Sequence, residues 1–512
     1  GQKFRQIASE YSDMIAVRTN CGQLTYAELN SKSDEIAQYF ISLGLNFGDV
    51  VCVVGEKSLS TIVFLIGAIK AGITYSVFDP DTPIKRLEKI FEKCKPKLVI
   101  CNASQVSSLE HLEIRSITSD HLSTNSKEAN SEILSLRIDS LTGVSPAYIM
   151  FTSGSTGFPK GAIMSHQNVL NLIAWSCETY SFGPGEILTS VNPLFFDNSV
   201  FDIFSSLFTG ATLTLFDAQT VRNPAKLLQL IDQYECTSWF SVPSMLIYLQ
   251  NVRALQPTSF KHLRRIIFGG EGYPKAKLKQ LFDLFSSRIE FYNVYGPTEC
   301  TCICSSYKVE IDDFEDLNGF LPLGQMSKNF EPIVVDSDLQ VVHSDQLGEL
   351  LLRGPNVGLG YVNDPERTQG GFIQNPIHNA YRDIVYRTGD LVCYDSTVQK
   401  FLIAGRSDNQ IKHMGYRIEL EEIENALSCI QNVAQCAVVH CESRGLSQLV
   451  AFIKPTDGVV EETFLREQLG LVIPAYMIPT KFQLLNELPK NANGKLDRNH
   501  MKRMFLEQAQ HV

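Results

Sequence analysis

Residues 148–166, YIMFTSGSTGFPKGAIMSH, combine small, hydroxyl-bearing and basic side chains in one short segment. The segment begins with an apolar run that predicts a buried strand, and its glycines allow backbone amides to approach an anion closely. A single lysine adds a positive point charge. The segment therefore predicts a phosphate-binding loop, although its spacing differs from G-x-x-x-x-G-K-[ST]. The predicted phosphate contacts are Thr152, Ser153, Gly154, Ser155, Thr156, Gly157 and Lys160.

The elements before and after this loop alternate between short β-branched runs and helical segments. VCVVG is followed by STIVFLIGAIKAG, and TLTLF is followed by NPAKLLQLIDQY. Such alternation predicts parallel strands joined by crossover helices, with ligands at the carboxyl ends of the strands. The predicted phosphate loop follows AYIMF, so we expect it at such an end.

The sequence pattern changes near Gly405. From there, the amphipathic segment IELEEIENALS precedes the strand-like runs VAQCAVVHC and QLVAFIKP. Strands and helices of this size predict a small α+β domain of about a hundred residues. We therefore expect an α/β protein with a large N-terminal domain, residues 1–407, and a small C-terminal domain, residues 408–512.

Composition excludes several other classes. The chain has 512 residues and a formal net charge of −11, which argues against nucleic acid as a partner. It has no apolar run long enough to insert in a membrane, and its start lacks the layout of a secretion signal. Thirteen cysteines without a C-x-x-C spacing are interpreted as reduced, packed thiols. We expect a cytoplasmic protein.

Five segments of the chain resemble the motif set of the adenylate-forming superfamily, and they occur in the same order as in that set. Within it, the chain is most similar to the amino-acid adenylation domains of nonribosomal peptide synthesis and the D-alanine–carrier protein ligases. The early segments LTYAEL and AIKAGITYSVFDPDTP match as well. The five segments are FTSGSTGFPKG, NVYGPTE, YRTGDL, GRSDNQIKHMGYRIELEEIE and NGKLDR.

The resemblance implies a reaction and a fold. A carboxylate attacks the α-phosphorus of ATP, with Mg²⁺ as cofactor, to give an acyl-adenylate and pyrophosphate; a thiol then displaces AMP. Positioning and electrostatics carry most of such phosphoryl chemistry. The implied fold has stacked α/β sheets and a β-barrel-like part in the large domain, and a mobile small domain.

The resemblance also implies the nucleotide contacts. The phosphate loop holds the β- and γ-phosphates, Thr298 reaches the α-phosphate and Glu299 helps to hold Mg²⁺. Tyr295 stacks on adenine, while Asp390 binds the ribose hydroxyls. The implied nucleotide-binding residues outside the loop are Gly269, Gly270, Glu271, Asn293, Val294, Tyr295, Gly296, Thr298, Glu299, Asp390 and Arg406.

Three positions near the C-terminus have implied roles. Lys495 would be the catalytic lysine, contacting the substrate carboxylate and the α-phosphate. The family rotates its small domain between the two steps, and Asp408 matches the hinge position. Gly415 would then line the path of the pantetheine arm, where a glycine permits close backbone approach.

Asp197 indicates which class of carboxylic acid is the substrate. It lies in the apolar segment LFFDNSVFDIF, where an unpaired carboxylate is costly, so a cationic partner is expected. It matches the aspartate that pairs with the α-ammonium of an amino acid, with helix capping as the alternative. The implied pocket is uncharged, which predicts a neutral substrate, and comprises Asn198, Phe201, Met245, Ile267, Gly269, Val294, Cys302 and Ile303.

Several functional readings stay open at this point. Glycine or alanine is favoured as substrate, but Gly269 departs from the bulkier cysteine of D-alanine ligases and leaves a mid-sized aliphatic amino acid open. No carrier motif G-G-x-S follows the last segment, which predicts that the thiol comes from a carrier protein acting in trans or from coenzyme A, unless the domain is excised from a larger synthetase. The alternatives are an acyl-CoA synthetase and a silent nucleotide-binding scaffold.

Overall fold

The computed structural model describes residues 1–118, 131–154, 157–397, 399–443, 446–456, 460–490 and 496–510. They fall into two compact units. The first unit comprises residues 1–80, 95–150 and 161–407, and the second unit comprises residues 81–94, 151–160 and 408–512. The two predicted domains, residues 1–407 and 408–512, stay a prediction.

The strands within the described residues are short and mostly buried. In the first 165 residues they are β1 (Ile15–Thr19), β2 (Gly22–Thr25), β3 (Val50–Val54), β4 (Thr74–Phe78), β5 (Leu98–Cys101), β6 (Ser116–Thr118), β7 (Pro146–Thr152) and β8 (Lys160–Ser165). Up to residue 361 they are β9 (Ile187–Ser190), β10 (Thr212–Leu215), β11 (Ser238–Ser241), β12 (Arg265–Gly269), β13 (Glu290–Tyr295), β14 (Ser305–Lys308), β15 (Gln325–Met326), β16 (Glu331–Val335), β17 (Leu347–Arg353) and β18 (Gly360–Tyr361). The remaining strands are β19 (Phe372–Gln374), β20 (Ile384–Asp395), β21 (Lys400–Arg406), β22 (Gln410–His413), β23 (Tyr416–Glu419), β24 (Val433–Ser443), β25 (Leu446–Pro455) and β26 (Lys481–Leu484).

The helices alternate with these strands for most of the chain. The first eight are α1 (Gln2–Glu10), α2 (Tyr26–Ser42), α3 (Leu59–Ala71), α4 (Ile84–Cys94), α5 (Ala103–Leu109), α6 (Ser131–Ser140), α7 (His166–Tyr180) and α8 (Asn198–Leu207). The others are α9 (Ala218–Val221), α10 (Pro224–Gln233), α11 (Pro243–Asn251), α12 (Lys275–Phe285), α13 (Pro365–Gly371), α14 (Leu420–Ser428), α15 (Glu462–Gly470) and α16 (Arg498–Gln510).

Two large sheets dominate the first unit. The nine-stranded sheet has the order β15-β14-β13-β12-β11-β9-β10-β1-β2, and its strands from β13 to β1 are parallel. The seven-stranded sheet has the order β18-β8-β7-β4-β3-β5-β6. The expected parallel strands with crossover helices are therefore present, and antiparallel strands are added at the edges.

Two apolar helices lie in the core that both sheets share. Every residue of α8 is buried, as is α3 from Thr61 onward. Their side chains belong to one cluster that also includes Val51 of β3 and Leu213 of β10. Both helices are thus covered on every side, and the predicted site residue Asp197 immediately precedes α8.

A smaller antiparallel sheet completes the first unit. Its order is β16-β17-β20-β19, with β21 paired to β20. The β20–β21 register sets Asp390 opposite Arg406. The mixed α/β class, with a larger and a smaller unit, confirms the predicted fold class.

The second unit has its own core. A three-stranded sheet, β24-β25-β26, packs against α14, and β22 and β23 form a hairpin. Met414 and Gly415, the two residues of the hairpin turn, have φ values of 53° and 83°. Positive φ at both turn positions is typical of a type I′ turn and favours glycine. No helix in the described ranges has the length and apolarity needed to cross a membrane.

Candidate functional site

Asp197 and Thr298 contact each other in the first unit. Asp197 stands at the N-terminal end of α8, but its side chain makes no capping hydrogen bond to that helix. Instead, Thr298 Oγ1 donates to Asp197 Oδ2 at 2.6 Å. The two residues are 101 positions apart in sequence, so the fold brings together the predicted ammonium site and the predicted α-phosphate site. The capping alternative for Asp197 is not supported by this geometry.

Asp390 is held on both carboxylate oxygens. The Tyr295 hydroxyl donates to Oδ2 at 2.6 Å, and Arg406 Nη1 lies 2.5 Å from Oδ1. Burial and the negative charge of Asp390 raise the pKa of the Tyr295 phenol well above its ordinary value. A buried carboxylate with a cation and a phenol donor is preorganised, and its remaining lone pairs can accept hydrogen bonds from a diol. Stacking of Tyr295 on adenine stays a prediction.

Glu299 is fully buried in a 3₁₀ turn, residues 298–300. Its Oε1 accepts a hydrogen bond from the Tyr361 hydroxyl at 2.7 Å. The described residues contain no group of three or more His, Cys, Asp or Glu side chains arranged to hold a metal ion. A lone carboxylate fits Mg²⁺, which usually takes one or two protein carboxylates, substrate phosphates and water. Glu299 could therefore hold Mg²⁺ only together with a bound nucleotide.

The predicted pocket residues fall mainly into one cluster. Phe201, Ile267, Val294, Cys302 and Ile303 are buried in the core cluster that contains α8. Met245 differs, because it packs against the separate cluster formed around β11 and α12.

Three aromatic rings enclose Phe201. Its ring lies 4.9 Å from that of Phe240, and 5.9 Å from those of Tyr180 and Phe182, between centroids and in edge-on arrangements. Close-packed rings leave little room for another rotamer. The Phe201 ring is therefore held in one position, and its place in the wall of the predicted pocket stays a prediction.

Glycines occupy the carboxyl end of β12 for a steric reason. A Cβ at Gly269 would overlap the carbonyl oxygen of Val294 on β13. Gly270 has a φ of 94°, and a Cβ there would lie 3.9 Å from Nδ2 of Asn198. Backbone thus closes this side of the predicted pocket, next to Glu271, whose Oε1 accepts from the amide of Ser244 at 2.6 Å.

Two further residues predicted to bind the nucleotide, Asn293 and Gly296, lie close to backbone carbonyl groups. Asn293 donates through Nδ2 to the carbonyl of Pro322 at 2.9 Å. A Cβ at Gly296 would overlap the carbonyl oxygen of Cys302, so only glycine fits there. Burial raises the pKa of the Cys302 thiol well above its ordinary value, aided by the negative charges of Asp197 and Asp202, which keeps it a neutral thiol.

A charged pair that sequence reasoning did not single out lies in the first unit. Asp202, the residue after Phe201 in α8, is almost fully buried, and burial raises the pKa of its carboxyl group. Burial lowers the pKa of Lys57, whose Nζ donates to the carbonyl of Ser190 at 2.8 Å. Attraction between the two charges opposes both shifts. The sequence signal was a second aspartate in an apolar helix, which requires a partner.

Residues of the predicted phosphate loop belong to the second unit and form hydrogen bonds and an ion pair with other residues of that unit. Ser153 Oγ donates to the carbonyl of Arg417 at 2.7 Å and accepts from the amide of Glu419 at 3.0 Å. The Gly154 amide donates to Glu422 Oε2 at 3.1 Å, and Lys160 Nζ lies 3.8 Å from Oε1 of Glu419.

Glu422 also pairs with Arg86 of α4. Carboxylates are acceptors of the same kind as phosphate oxygens, so these contacts are compatible with a loop built to bind anions.

Other loop positions differ in their environment. Thr152 Oγ1 is buried and has no hydrogen-bond partner among the described residues. Gly157 has a φ of 78°, and a Cβ there would lie 3.2 Å from Asn425. Ser155, Thr156 and the predicted catalytic Lys495 lie outside the described residues.

The two predicted thiolation positions lie near the start of the last segment of the second unit, residues 408–512. Asp408 directly follows the last residue of the first unit. Its Oδ1 accepts a hydrogen bond from the amide of Gln410 at 3.2 Å. Gly415 occupies the β22–β23 turn beside the exposed Met414. The structure thus gives Gly415 a conformational requirement, and its place along a pantetheine path stays a prediction.

Comparison with known protein families agrees with this site. A family profile described as "AMP-binding enzyme" matches residues 4–362, and "AMP-binding enzyme C-terminal domain" matches residues 422–495. The chain belongs to the AMP-binding enzyme family, which confirms the predicted adenylate-forming superfamily. Enzymes of this family use ATP with Mg²⁺, as predicted.

Individual relatives are named as synthases or synthetases. Zwittermicin A synthase ZmaJ of Bacillus cereus is 32% identical over 95% of this chain and 91% of its own. Tyrocidine synthase 3 of Brevibacillus parabrevis is 31% identical over 97% of this chain. This chain spans only 8% of that synthase, and 9% of malpibaldin synthetase of Mortierella alpina.

Solved structures share the fold. NpsA-ThdA, an artificially fused adenylation-PCP di-domain from Klebsiella oxytoca, has a TM-score of 0.82 at 23% identity, covering 95% of this chain and 93% of its own. The Vibrio cholerae adenylation domain AlmE, in complex with glycyl-adenosine-5'-phosphate, has a TM-score of 0.84 at 23% identity, covering 99% and 97%. At these identities the likeness shows the fold alone.

Proposed function

We propose that this chain activates an amino acid with ATP and Mg²⁺ as an aminoacyl-adenylate, and then transfers the aminoacyl group to the phosphopantetheine thiol of a carrier protein. One observation carries the proposal: the 2.6 Å hydrogen bond from Thr298 to Asp197. It joins a partly buried carboxylate, suited to an ammonium group, to a hydroxyl assigned to the α-phosphate. An amino acid bound by its ammonium group would then have its carboxylate beside the reacting phosphorus.

The first step forms a bond between a substrate carboxylate oxygen and the α-phosphorus of ATP. The bond from that phosphorus to the oxygen bridging to the β-phosphate breaks, and pyrophosphate leaves. Thr298 and Lys495 donate to the α-phosphate, while the paired carboxylate of Asp390 fixes the ribose. Mg²⁺ on Glu299, when bound, neutralises phosphate charge. Fixed donors of this kind stabilise developing charge without reorganisation.

In the second step the carrier thiol loses its proton to solvent water and its sulfur attacks the acyl carbonyl carbon. The bond from this carbon to the adenylate oxygen breaks, AMP leaves and a thioester forms. We assign Asp408 to the hinge that changes the small domain's pose and Gly415 to the path of the thiol. We propose a carrier acting in trans.

The substrate we propose is neutral and small, with glycine or alanine favoured. The fixed Phe201 ring and the backbone-closed side at Gly269 support a shallow pocket. A larger aliphatic amino acid remains the second candidate because Gly269 itself adds no side chain. We also propose a cytoplasmic location, since the reaction consumes ATP and all thirteen cysteines are free thiols.

Pyrophosphate exchange tests this proposal. The panel contains glycine, both enantiomers of alanine, valine, leucine, aspartate, lysine and a medium-chain fatty acid. We expect exchange with a small neutral amino acid and none with aspartate or lysine. Exchange with the fatty acid alone would indicate an acyl-CoA synthetase, and exchange with no acid would favour a silent nucleotide-binding protein.

A further inference from the structure

The segment PNVGLGY, residues 355–361, contacts the loop that carries Thr298 to Ile303. The Gly358 amide donates to the carbonyl of Glu299 at 2.9 Å, and the Tyr361 hydroxyl donates to its Oε1 at 2.7 Å. Further along the loop, Thr301 Oγ1 donates to the carbonyl of Asn356 at 2.8 Å. One segment therefore contacts both the proposed metal-binding carboxylate and a wall of the proposed amino-acid pocket. We call residues 355–361 the brace.

The loop that the brace contacts has a strained backbone. Thr301 and Cys302 have φ values of 63° and 70°, in the left-handed region that L-residues with a Cβ seldom adopt. Two such residues in succession persist only where the surrounding contacts hold them. The Thr301–Asn356 hydrogen bond, and a longer one from Asn356 Nδ2 to the carbonyl of Ile303 at 3.4 Å, act at this point.

The brace is itself anchored to α7. Asn168 Nδ2 donates to the carbonyls of Pro355 and Val357 at 2.6 and 3.0 Å, and Asn171 Nδ2 donates to Asn356 Oδ1 at 2.6 Å. Asn356 is fully buried. Because a buried amide in a satisfied network has one low-energy arrangement, the brace can transmit the position of α7 to the strained loop.

Tyr361 is the part of the brace closest to the chemistry. Its ring packs edge-on against Phe372, with centroids 5.4 Å apart, so the direction of its hydroxyl is fixed. Glu299 has no exposed surface, and a buried carboxylate is stable only when donors or cations satisfy it. A hydrogen bond from a phenol with a fixed direction orients the carboxylate, and partners that orient a metal-binding side chain tune its affinity for the metal ion.

We propose that the brace positions the site at two places: Tyr361 sets Glu299 for binding of the metal–nucleotide complex, and the Thr301–Asn356 contact sets the pocket wall formed by Cys302 and Ile303 and so determines discrimination between amino acids. Tyr361 and Thr301 are thus positioning residues. The second half of the inference rests on the proposed function, while the first half needs only nucleotide and metal binding.

The metal half is tested with Tyr361→Phe, which removes one oxygen and keeps the ring. The readout is Mn²⁺ binding, measured by electron paramagnetic resonance with a non-hydrolysable ATP analogue present. We expect the Mn²⁺ dissociation constant to rise about tenfold, as when a partner of a metal-binding side chain is lost. Tyr361→Met is the second variant, with the same expected shift, if Tyr361→Phe does not fold.

The matched control is Tyr26→Phe, since Tyr26 is likewise a buried tyrosine and its hydroxyl donates to the carbonyl of Ala211 at 2.7 Å. An unchanged Mn²⁺ dissociation constant in the Tyr361 variants, with a loss of thermal stability equal to that of Tyr26→Phe, would make Tyr361 a structural residue only and overturn this half.

The pocket half is tested with Thr301→Val, which keeps the shape and removes the hydroxyl. Thr209→Val is the control, because Thr209 is buried and its hydroxyl donates to helix carbonyls. We expect Thr301→Val to reduce the preference for the best amino acid over its next larger homologue about tenfold in kcat/KM, with unchanged Mn²⁺ binding. If Thr301→Val and Thr209→Val show the same preference between the two amino acids, the pocket half of the proposal is refuted. Wild-type protein that binds Mn²⁺ and the ATP analogue but activates no amino acid would contradict the proposed function and leave the Tyr361 test valid.

Discussion

Replacing Asp197 by asparagine separates the two functions that its carboxylate could have. Asparagine has nearly the same shape, and its carbonyl oxygen can still accept the 2.6 Å hydrogen bond from Thr298. The substitution therefore removes the negative charge while the local geometry is retained. If Asp197 binds the substrate ammonium group, catalysis with amino acids must fall.

The size of the effect follows from the surroundings of Asp197. Thr298 beside it is buried, but Asp197 itself is partly exposed, so an effective dielectric constant of about 20 applies. Opposite charges about 4 Å apart then attract by about 4 kcal/mol, and partial solvent screening reduces this to roughly 3 kcal/mol. We expect kcat/KM for the amino acid to fall roughly a hundredfold, at about 1.4 kcal/mol per factor of ten.

The assay is pyrophosphate exchange with the best amino acid of the panel and with its desamino analogue. The amino acid should lose activity in Asp197→Asn, while the KM for ATP and the low activity with the desamino acid stay the same. Asp49→Asn is the control, since Asp49 also accepts a backbone hydrogen bond but precedes β3, at the end of the sheet opposite to ligands. A fall of less than threefold with the amino acid, or equal losses with both acids, would refute the assignment of the ammonium group to Asp197.

Three further predictions concern the second unit. Lys495→Ala should abolish adenylate formation but leave transfer from a supplied aminoacyl-adenylate largely intact, and equal loss of both steps in single-turnover assays would contradict the separate roles. Asp408→Pro stiffens the backbone at the proposed hinge, so thioester formation should fall more than pyrophosphate exchange; parallel losses would remove the hinge assignment. His413 and His440 both hydrogen-bond Ser447 at 2.6 Å, and burial lowers the pKa of each to about 4. Because the unfolded chain takes up these protons below about pH 6.5, stability should fall as the pH drops from about 6.5 to about 4. Melting temperatures of His440→Gln should depend less on pH over this range than those of the wild type, and an identical dependence would contradict the prediction.

The class and the family could be read from the sequence because their signals are local. The alternation of strand and helix patterns depends on neighbouring residues. The phosphate-loop composition and the motif around Thr298 and Glu299 are also contiguous. The order of the motifs along the chain then identified the superfamily, which the family profiles confirmed.

The amino-acid pocket was only partly accessible in this way. The resemblance named Phe201, but nothing in sequence indicated that Tyr180, Phe182 and Phe240 would enclose its ring. Met245 was assigned to the same pocket, yet it packs against a different cluster. Side-chain packing depends on elements far apart in the chain, so patterns of neighbouring residues carry little information about it.

The sequence by itself determined which chemical groups the protein has and the local backbone that presents them. Only the tertiary structure decided which of those groups meet: Thr298 with Asp197, Tyr295 with Asp390, and Tyr361 with Glu299. These partners are 62 to 101 residues apart, and the strand order of the sheets determines their approach. Burial makes the contacts of Asp390 and Glu299 decisive, because a buried carboxylate requires a donor and the fold supplies it from a distant segment.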